Sequence, residues 1–184
     1  IQQFVCGAKE EGRRANQVEA GDDHTRRMVE LYALYDATCR REGVVDFAEL
    51  LLRSFELLSN HDALREHYQQ RFSHLLVDEF QDTNALQYRW LKLLAGPDTA
   101  MFAVGDDDQS IYAFRGAKVA NMQAIERDFG RPGMPVRLIK LEQNYRSHGH
   151  ILDAANALIR NNSRRLGKNL WTSEGTGEPV RVFE

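Results

Sequence analysis

Asp78 and Glu79 are the residues from which a chemistry is most readily read. They close the apolar run Leu75-Leu76-Val77 and open a polar turn, Phe80-Gln81-Asp82-Thr83-Asn84. In an open parallel sheet, groups that act on a ligand sit at the carboxyl ends of strands, and these acids fall at such an end. Two neighbouring carboxylates there suit metal-assisted phosphoryl chemistry: one holds Mg²⁺ through water, the other orients or deprotonates an attacking water. Taken alone, the pair reads as readily as a cap for the next helix or as two solvated loop acids.

A second constellation begins where another apolar run ends: Gly105-Asp106-Asp107-Asp108-Gln109-Ser110-Ile111-Tyr112-Ala113-Phe114-Arg115-Gly116-Ala117. Gln109 has the groups to hydrogen-bond a phosphate oxygen or the attacking water. Tyr112, Phe114 and Arg115 interleave rings with a cation, which suits stacking on bases plus a phosphate contact. Equally, the rings pack the loop onto the core. The third stretch is Leu141-Glu142-Gln143-Asn144-Tyr145-Arg146-Ser147, read as a strand running into a helix that Ser147 caps. Arg146 at a helix start opposes the helix dipole, which favours anions there. Its position makes sense beside a bound anion, as for an arginine that stabilises charge on a transferring phosphoryl group. Tyr145 has a ring to stack on a nucleobase. The plain alternative is an Arg–carboxylate surface pair.

The elements that must position these residues come in two kinds. The first seventy residues read as helical. A short helix is expected near 1–9. Over 23–41, Met28, Leu31, Tyr32, Tyr35 and Cys39 recur at three- and four-residue steps, an amphipathic helix that Gly43 is placed to end. Asp46-Phe47-Ala48-Glu49 has the form of a capping box, and the helix it opens carries Phe47, Leu50, Leu51, Phe55 and Leu58 on one face. Residues 60–70 form a shorter, more polar helix. Then the pattern changes. Residues 75–77 are apolar, brief and unalternating, as a buried parallel strand should be. Thr83 or Asn84 caps a helix to Ala95 with Leu86, Trp90, Leu93 and Leu94 inward, and Gly96-Pro97-Asp98 stops it. Residues 99–104 are a second strand, 118–129 a helix ended by Gly130, and 136–141 a third strand. A last helix carries Ile151, Leu152, Ala155, Leu158 and Ile159. Strand alternating with helix predicts an α/β fold on a parallel sheet, preceded by a helical segment.

Composition sets the outer bounds. The 184 residues are 42% apolar, enough for a real core, and carry a net charge of −3. That charge gives no global basic signature of nucleic-acid binding, although a local groove suffices for it. Cys6 and Cys39 make neither a disulfide framework nor a metal-ligand spacing, and read as free thiols in a reducing compartment. His24, His61, His67, His74, His148 and His150 form no zinc pattern with them. No apolar run is long enough to span a bilayer, and Ile1-Gln2-Gln3-Phe4 is not signal-like. The expectation is a soluble, cytoplasmic protein.

Taken together, the three stretches resemble the UvrD/Rep/PcrA family of superfamily I DNA helicases. Val77-Asp78-Glu79-Phe80-Gln81-Asp82-Thr83-Asn84 is similar to that family's Walker B motif, residues 105–117 to its third motif, and Gln143-Asn144-Tyr145-Arg146-Ser147 to its fourth. Lys168-Asn169-Leu170-Trp171-Thr172 resembles a stretch that follows in these proteins. Val45-Asp46-Phe47-Ala48-Glu49-Leu50-Leu51 resembles the family's re-entry into its first motor domain. The resemblance implies a partial RecA-like sheet of the P-loop NTPase type, with ATP and Mg²⁺ as cofactors. It implies that Asp78 holds Mg²⁺, Glu79 activates water, and Gln109 senses the γ-phosphate. Tyr145 would stack on adenine or ribose and Arg146 would be the arginine finger of the second motor domain. Tyr112, Phe114 and Arg115 would contact single-stranded DNA; Phe114 stands where many relatives carry Trp, and should stack more weakly.

One departure bears on activity. The family's phosphate-binding loop, G-x-x-x-x-G-K-[ST], is absent; neither Gly167-Lys168-Asn169 nor Gly7-Ala8-Lys9 fits it. The family's fifth and sixth motifs are missing too. The chain therefore reads as a central slice, with 1–44 the end of a helical insertion, 45–138 the later part of the first RecA-like domain, and 139–184 the start of the second. A parallel sheet without its first strand should expose an edge and apolar surface. The activity implied is ATP-driven 3′-to-5′ movement on single-stranded DNA, unwinding duplex at junctions, with DNA-repair or replication proteins as partners. The rivals are a binding module that keeps the motor fold without catalysis, and the motor part of a helicase–nuclease.

Overall fold

A computed structural model describes residues 1–111, 116–118, 120–133, 135–162 and 165–183. The chain divides into two units, Ile1–Gly130 and Arg131–Glu184. The expected contacts of Tyr112, Phe114 and Arg115 lie outside the described residues.

The first unit opens with helices α1 (Gln2–Glu10), α2 (Asp23–Glu42), α3 (Phe47–Asn60) and α4 (Asp62–Arg71). Local chemistry sets their ends. Asp22 accepts from Thr25 N–H at the start of α2, and Gly43, at φ 68°, takes the left-handed conformation that closes it. Asp46 caps α3 by accepting from Glu49 N–H at 2.6 Å. The expected reciprocal half of a capping box does not form, because the Glu49 carboxylate is taken elsewhere. Arg14 donates to both its oxygens at 2.8 and 2.7 Å, and Arg53 donates at 2.5 Å. Lys9, only 1% exposed, reaches Glu49, Asp46 and Asp36 at 3.0, 2.9 and 3.1 Å. Tyr35 donates to the same Asp46 oxygen at 2.8 Å.

That buried ionic cluster turns α3. Glu49, Leu52 and Leu58 face inward, whereas Phe47 is 93% exposed and Leu50 also faces out. The expected face of Phe47, Leu50, Leu51, Phe55 and Leu58 is thus wrong at its N-terminal end. Hydrophobic spacing alone does not register a buried carboxylate among the inward positions.

The helical layer passes into a β-α-β unit. Strand β1 (His74–Val77) pairs in parallel with β2 (Ala100–Ala103), His74 opposite Ala100 and Val77 opposite Ala103. Between them runs α5 (Ala85–Leu94). Asn84 accepts from Gln87 N–H while the Gln87 side chain accepts from Asn84 N–H, both at 2.8 Å, a complete capping box. Helix α5 is the hub: it packs against α1, α3, α4 and α6 (Ala120–Phe129). Its buried residues are Leu86, Tyr88, Leu91 and Leu94, so the expected inward Trp90 and Leu93 lie at the margin. Trp90 instead donates to Ser54 Oγ on α3 at 2.8 Å.

Phe80, Tyr88 and Leu91, with Val77, Met101, Ala103, Met122, Ile125 and Phe129 against them, cover one face of the sheet. The other face is bare: Leu76 is 75% exposed and Phe102 58%. The strands are parallel as expected, but half-covered rather than buried on both sides. The uncovered apolar surface matches the expectation for a sheet short of neighbours.

The second unit holds α7 (Gly149–Ile159). No strand forms over 136–141 among the described residues. Leu138, Ile139 and Leu141 are exposed, and their segment finds no ladder. An apolar run becomes a strand only where a neighbour satisfies its backbone. A single parallel bridge joins Gln143 to Trp171, through Asn144 N–H to Trp171 O at 2.7 Å and Trp171 N–H to Glu142 O at 3.0 Å. Asn156 on α7 mimics a backbone partner, donating to Leu170 O at 2.8 Å and accepting from Leu170 N–H at 3.1 Å.

Candidate nucleotide site

The sequence after β1 folds as a tight turn. Val77 O accepts from Val104 N–H at 2.8 Å and Phe80 N–H donates to Val104 O at 2.9 Å, so β1 and β2 remain stitched on both sides of Asp78-Glu79. Phe80 is fully buried beneath the sheet. With both flanks fixed, the intervening residues must reverse the chain sharply. Glu79 does so at φ 49°, ψ 42°, the one non-glycine left-handed residue among those described. That conformation costs an L-residue about 1–2 kcal/mol. Strain of this kind persists only where the surroundings impose it, and it concentrates at functional sites.

Both acids are exposed at the strand end. Asp78 Oδ1 accepts from Glu79 N–H at 2.9 Å, and Oδ2 makes no hydrogen bond to the described residues. A hard carboxylate oxygen so placed fits Mg²⁺, which takes oxygen ligands and keeps several of its waters.

Gln109 lies in a 3-10 turn after β2, Asp107–Gln109. The structure joins it to Glu79 through two intermediaries. Gln109 Nε2 donates to Asp106 Oδ2 at 2.6 Å, Asp106 N–H donates to Gln81 Oε1 at 2.9 Å, and Gln81 Nε2 donates to Glu79 Oε2 at 2.7 Å. Single carboxylate oxygens of Asp106, Asp107 and Asp108 also lie within 4.8 Å of one another, each acid half-exposed. The chain at the end of the 105–117 stretch returns to the same turn. Ala117 bridges to Asn84 and Lys118 N–H donates to Thr83 O at 3.1 Å. Asn121 of α6, buried, donates to Thr83 O and Thr83 Oγ1 at 3.0 and 3.2 Å.

Gln81 and Asn121 escaped the sequence reading. A glutamine in a polar turn, or an asparagine in a helix, does not reveal from its type that it is buried and bridging.

In the second unit, Asn144 Oδ1 accepts from Arg146 N–H at 2.9 Å and Ser147 N–H at 2.7 Å. This side-chain turn delays the helix, so Ser147 is not its cap. Position His148 is, with no side-chain hydrogen bond to the helix. The first amides of α7, Gly149 and His150, donate instead to the carbonyls of Gly175 and Thr176. Arg146 precedes the helix rather than starting it. It is exposed, and no carboxylate among the described residues pairs with it. The surface ion pair offered as its plain alternative is not formed among the described residues of its own unit. Tyr145 is exposed too, its hydroxyl donating to Gln143 Oε1 at 2.9 Å.

Comparison with known proteins decides the family. The model of the UvrD/REP helicase N-terminal domain matches residues 1–130. The chain belongs to the UvrD/REP helicase family. Among relatives, DNA helicase II of Haemophilus influenzae is 50% identical over 181 residues, 98% of this chain and 24% of that protein. The ATP-dependent DNA helicase Rep of Salmonella typhimurium is 45% identical over 164 residues, 89% of this chain and 24% of its own length. The ATP-dependent DNA helicase PcrA of Staphylococcus aureus is 40% identical over 168 residues, 91% and 22%. The chain thus spans about a quarter of the length of these UvrD/REP relatives. No helix among the described residues is long and apolar enough to cross a membrane.

Proposed function

We propose that this chain supplies the metal-holding and water-activating half of the ATP site in an ATP-dependent DNA helicase that moves 3′ to 5′ on single-stranded DNA. The observation that carries the reading is the strained Glu79, fixed at a strand end beside the exposed Asp78 and linked by hydrogen bonds to Gln109. Asp78 holds Mg²⁺, whose charge, when bound, neutralises that developing on the phosphates. Glu79 accepts the proton of the attacking water and Gln109 sets the water or γ-phosphate oxygen. Arg146 and Tyr145 take the arginine-finger and nucleoside-stacking roles; the exposure of both side chains favours this. Tyr112, Phe114 and Arg115 grip DNA bases and phosphate. In this reading residues 1–44 end a helical insertion, 45–138 belong to a first RecA-like domain and 139–184 open a second. Single-stranded DNA, duplex junctions, and repair or replication proteins are the partners.

The test is Glu79→Gln in the full-length protein. ATP and DNA binding should persist while DNA-stimulated ATP turnover and unwinding fall by about 100-fold or more. Turnover within a few-fold of the parent's would remove Glu79 from the role of base.

A further inference from the structure

Gln81 is 2% exposed, two residues beyond Glu79, and nothing in the proposed roles uses it. Its amide spans two loops, donating to Glu79 Oε2 at 2.7 Å and accepting from Asp106 N–H at 2.9 Å. The two ends of the amide are not interchangeable. A backbone N–H demands the carbonyl oxygen, which leaves the NH₂ for the carboxylate. The slot has little slack: a Cβ on Gly105 would lie 2.8 Å from Gln81 Oε1 and 3.3 Å from Gln81 N. The same Asp106 whose amide is held by Gln81 holds Gln109 Nε2 through its side chain at 2.6 Å.

We infer that Gln81 is the positioning residue of Glu79, fixing one carboxylate oxygen and tying its direction to the 105–109 loop. A shift of that loop reaches the carboxylate through one buried amide, so the state of the loop sets how well Glu79 faces its water. The inference rests on the reading of Glu79 as the water-activating group.

The experiment is DNA-stimulated ATP hydrolysis by the full-length protein, resolved into kcat and KM, with thermal melting of each variant. Gln81→Glu keeps an acceptor for Asp106 N–H and sets a second carboxylate against Glu79. Like charges then push the Glu79 carboxylate out of its set direction, and kcat should fall about 10-fold or more. KM for ATP should stay within about twofold, since the substrate is not touched. Gln81→Met fills the slot but makes neither bond; kcat should fall roughly 10- to 100-fold, as expected for a misaimed catalytic group. A residue that merely stabilised the fold would lower the melting temperature without lowering kcat at temperatures where the variant stays folded. Parental kcat in Gln81→Glu overturns the inference, as does parental kcat in Gln81→Met. The methionine variant decides alone if the glutamate variant fails to fold. Glu79→Gln, measured alongside, separates the two failures: its retention of turnover removes the underlying reading and the inference with it. Its inactivity, beside unaffected Gln81 variants, removes the inference only.

Discussion

Lys9 Nζ lies 3.0 Å from Glu49 Oε2, and both side chains are almost wholly out of water. Burial alone would pull the Lys9 ammonium down, but its bonds to Asp46, Glu49 and Asp36 outweigh that and hold it above its ordinary value. This one cation is shared among α2, α3 and the cap between them. Lys9→Met should therefore leave Asp46 and Asp36 beside Glu49 without the buried cation they share, although Arg14 and Arg53 still bond Glu49. Breaking a buried pair costs about 3–5 kcal/mol. Urea unfolding of the chain followed by circular dichroism measures it, and a loss under about 1 kcal/mol would contradict the network.

The same cluster predicts an acid transition. Burial alone would raise Glu49, but hydrogen bonds from Arg14, Arg53 and Lys9 prevail and bring it from 4.5 to about 2. A carboxyl lowered in the folded state stabilises it fully above the unfolded value, and that share is lost as pH falls from about 4.5 towards about 2. For a group this buried the share is about 3 kcal/mol. Stability measured between pH 6 and pH 2 should drop most steeply below pH 4.5, and Glu49→Gln should flatten that limb.

Strain at Glu79 separates stability from activity. Glycine visits its left-handed conformation without the side-chain penalty. Glu79→Gly should thus melt within about 1 kcal/mol of the parent, or above it, although it deletes the proposed base. Glu79→Val, β-branched at the same φ, should melt well below it. Parallel thermal melts give the order, and a glycine variant less stable than the valine variant would refute the strain.

The chain carries no phosphate-binding loop. By itself, with saturating single-stranded DNA and Mg²⁺, it should hydrolyse ATP at background. A phosphate-release assay checks this; turnover that Glu79→Gln abolishes would show that the site works without the loop.

The sequence disclosed those parts of the fold that local chemistry decides. Gly43 ends α2 and Asn84 opens α5, each because neighbouring residues suffice, and two short apolar runs become the parallel strands across the one helix between them. It misled where a distant partner decides. Glu49 turned α3 away from its expected face by leaving its cap for Arg14. Residues 136–141 lack the neighbour that would make them a strand, and Asn144 outbids Ser147 for the chain before α7. In the site, Asp78, Glu79 and Gln109 were visible as acids and an amide at strand ends. Gln81, which joins them, was not, because its role lies in being buried between two loops 25 residues apart.

The burial of Lys9 has a consequence for ionic strength. Exposed pairs such as Arg26–Asp23 and Arg41–Glu42 stand in solvent, where about 1 M salt shortens the reach of a charge to about 3 Å. Lys9 is 1% exposed and the Glu49 and Asp36 side chains 6% and 10%, which leaves ions little room to enter between them. The helical layer should therefore hold its shape in brine that has removed the attraction of the surface pairs.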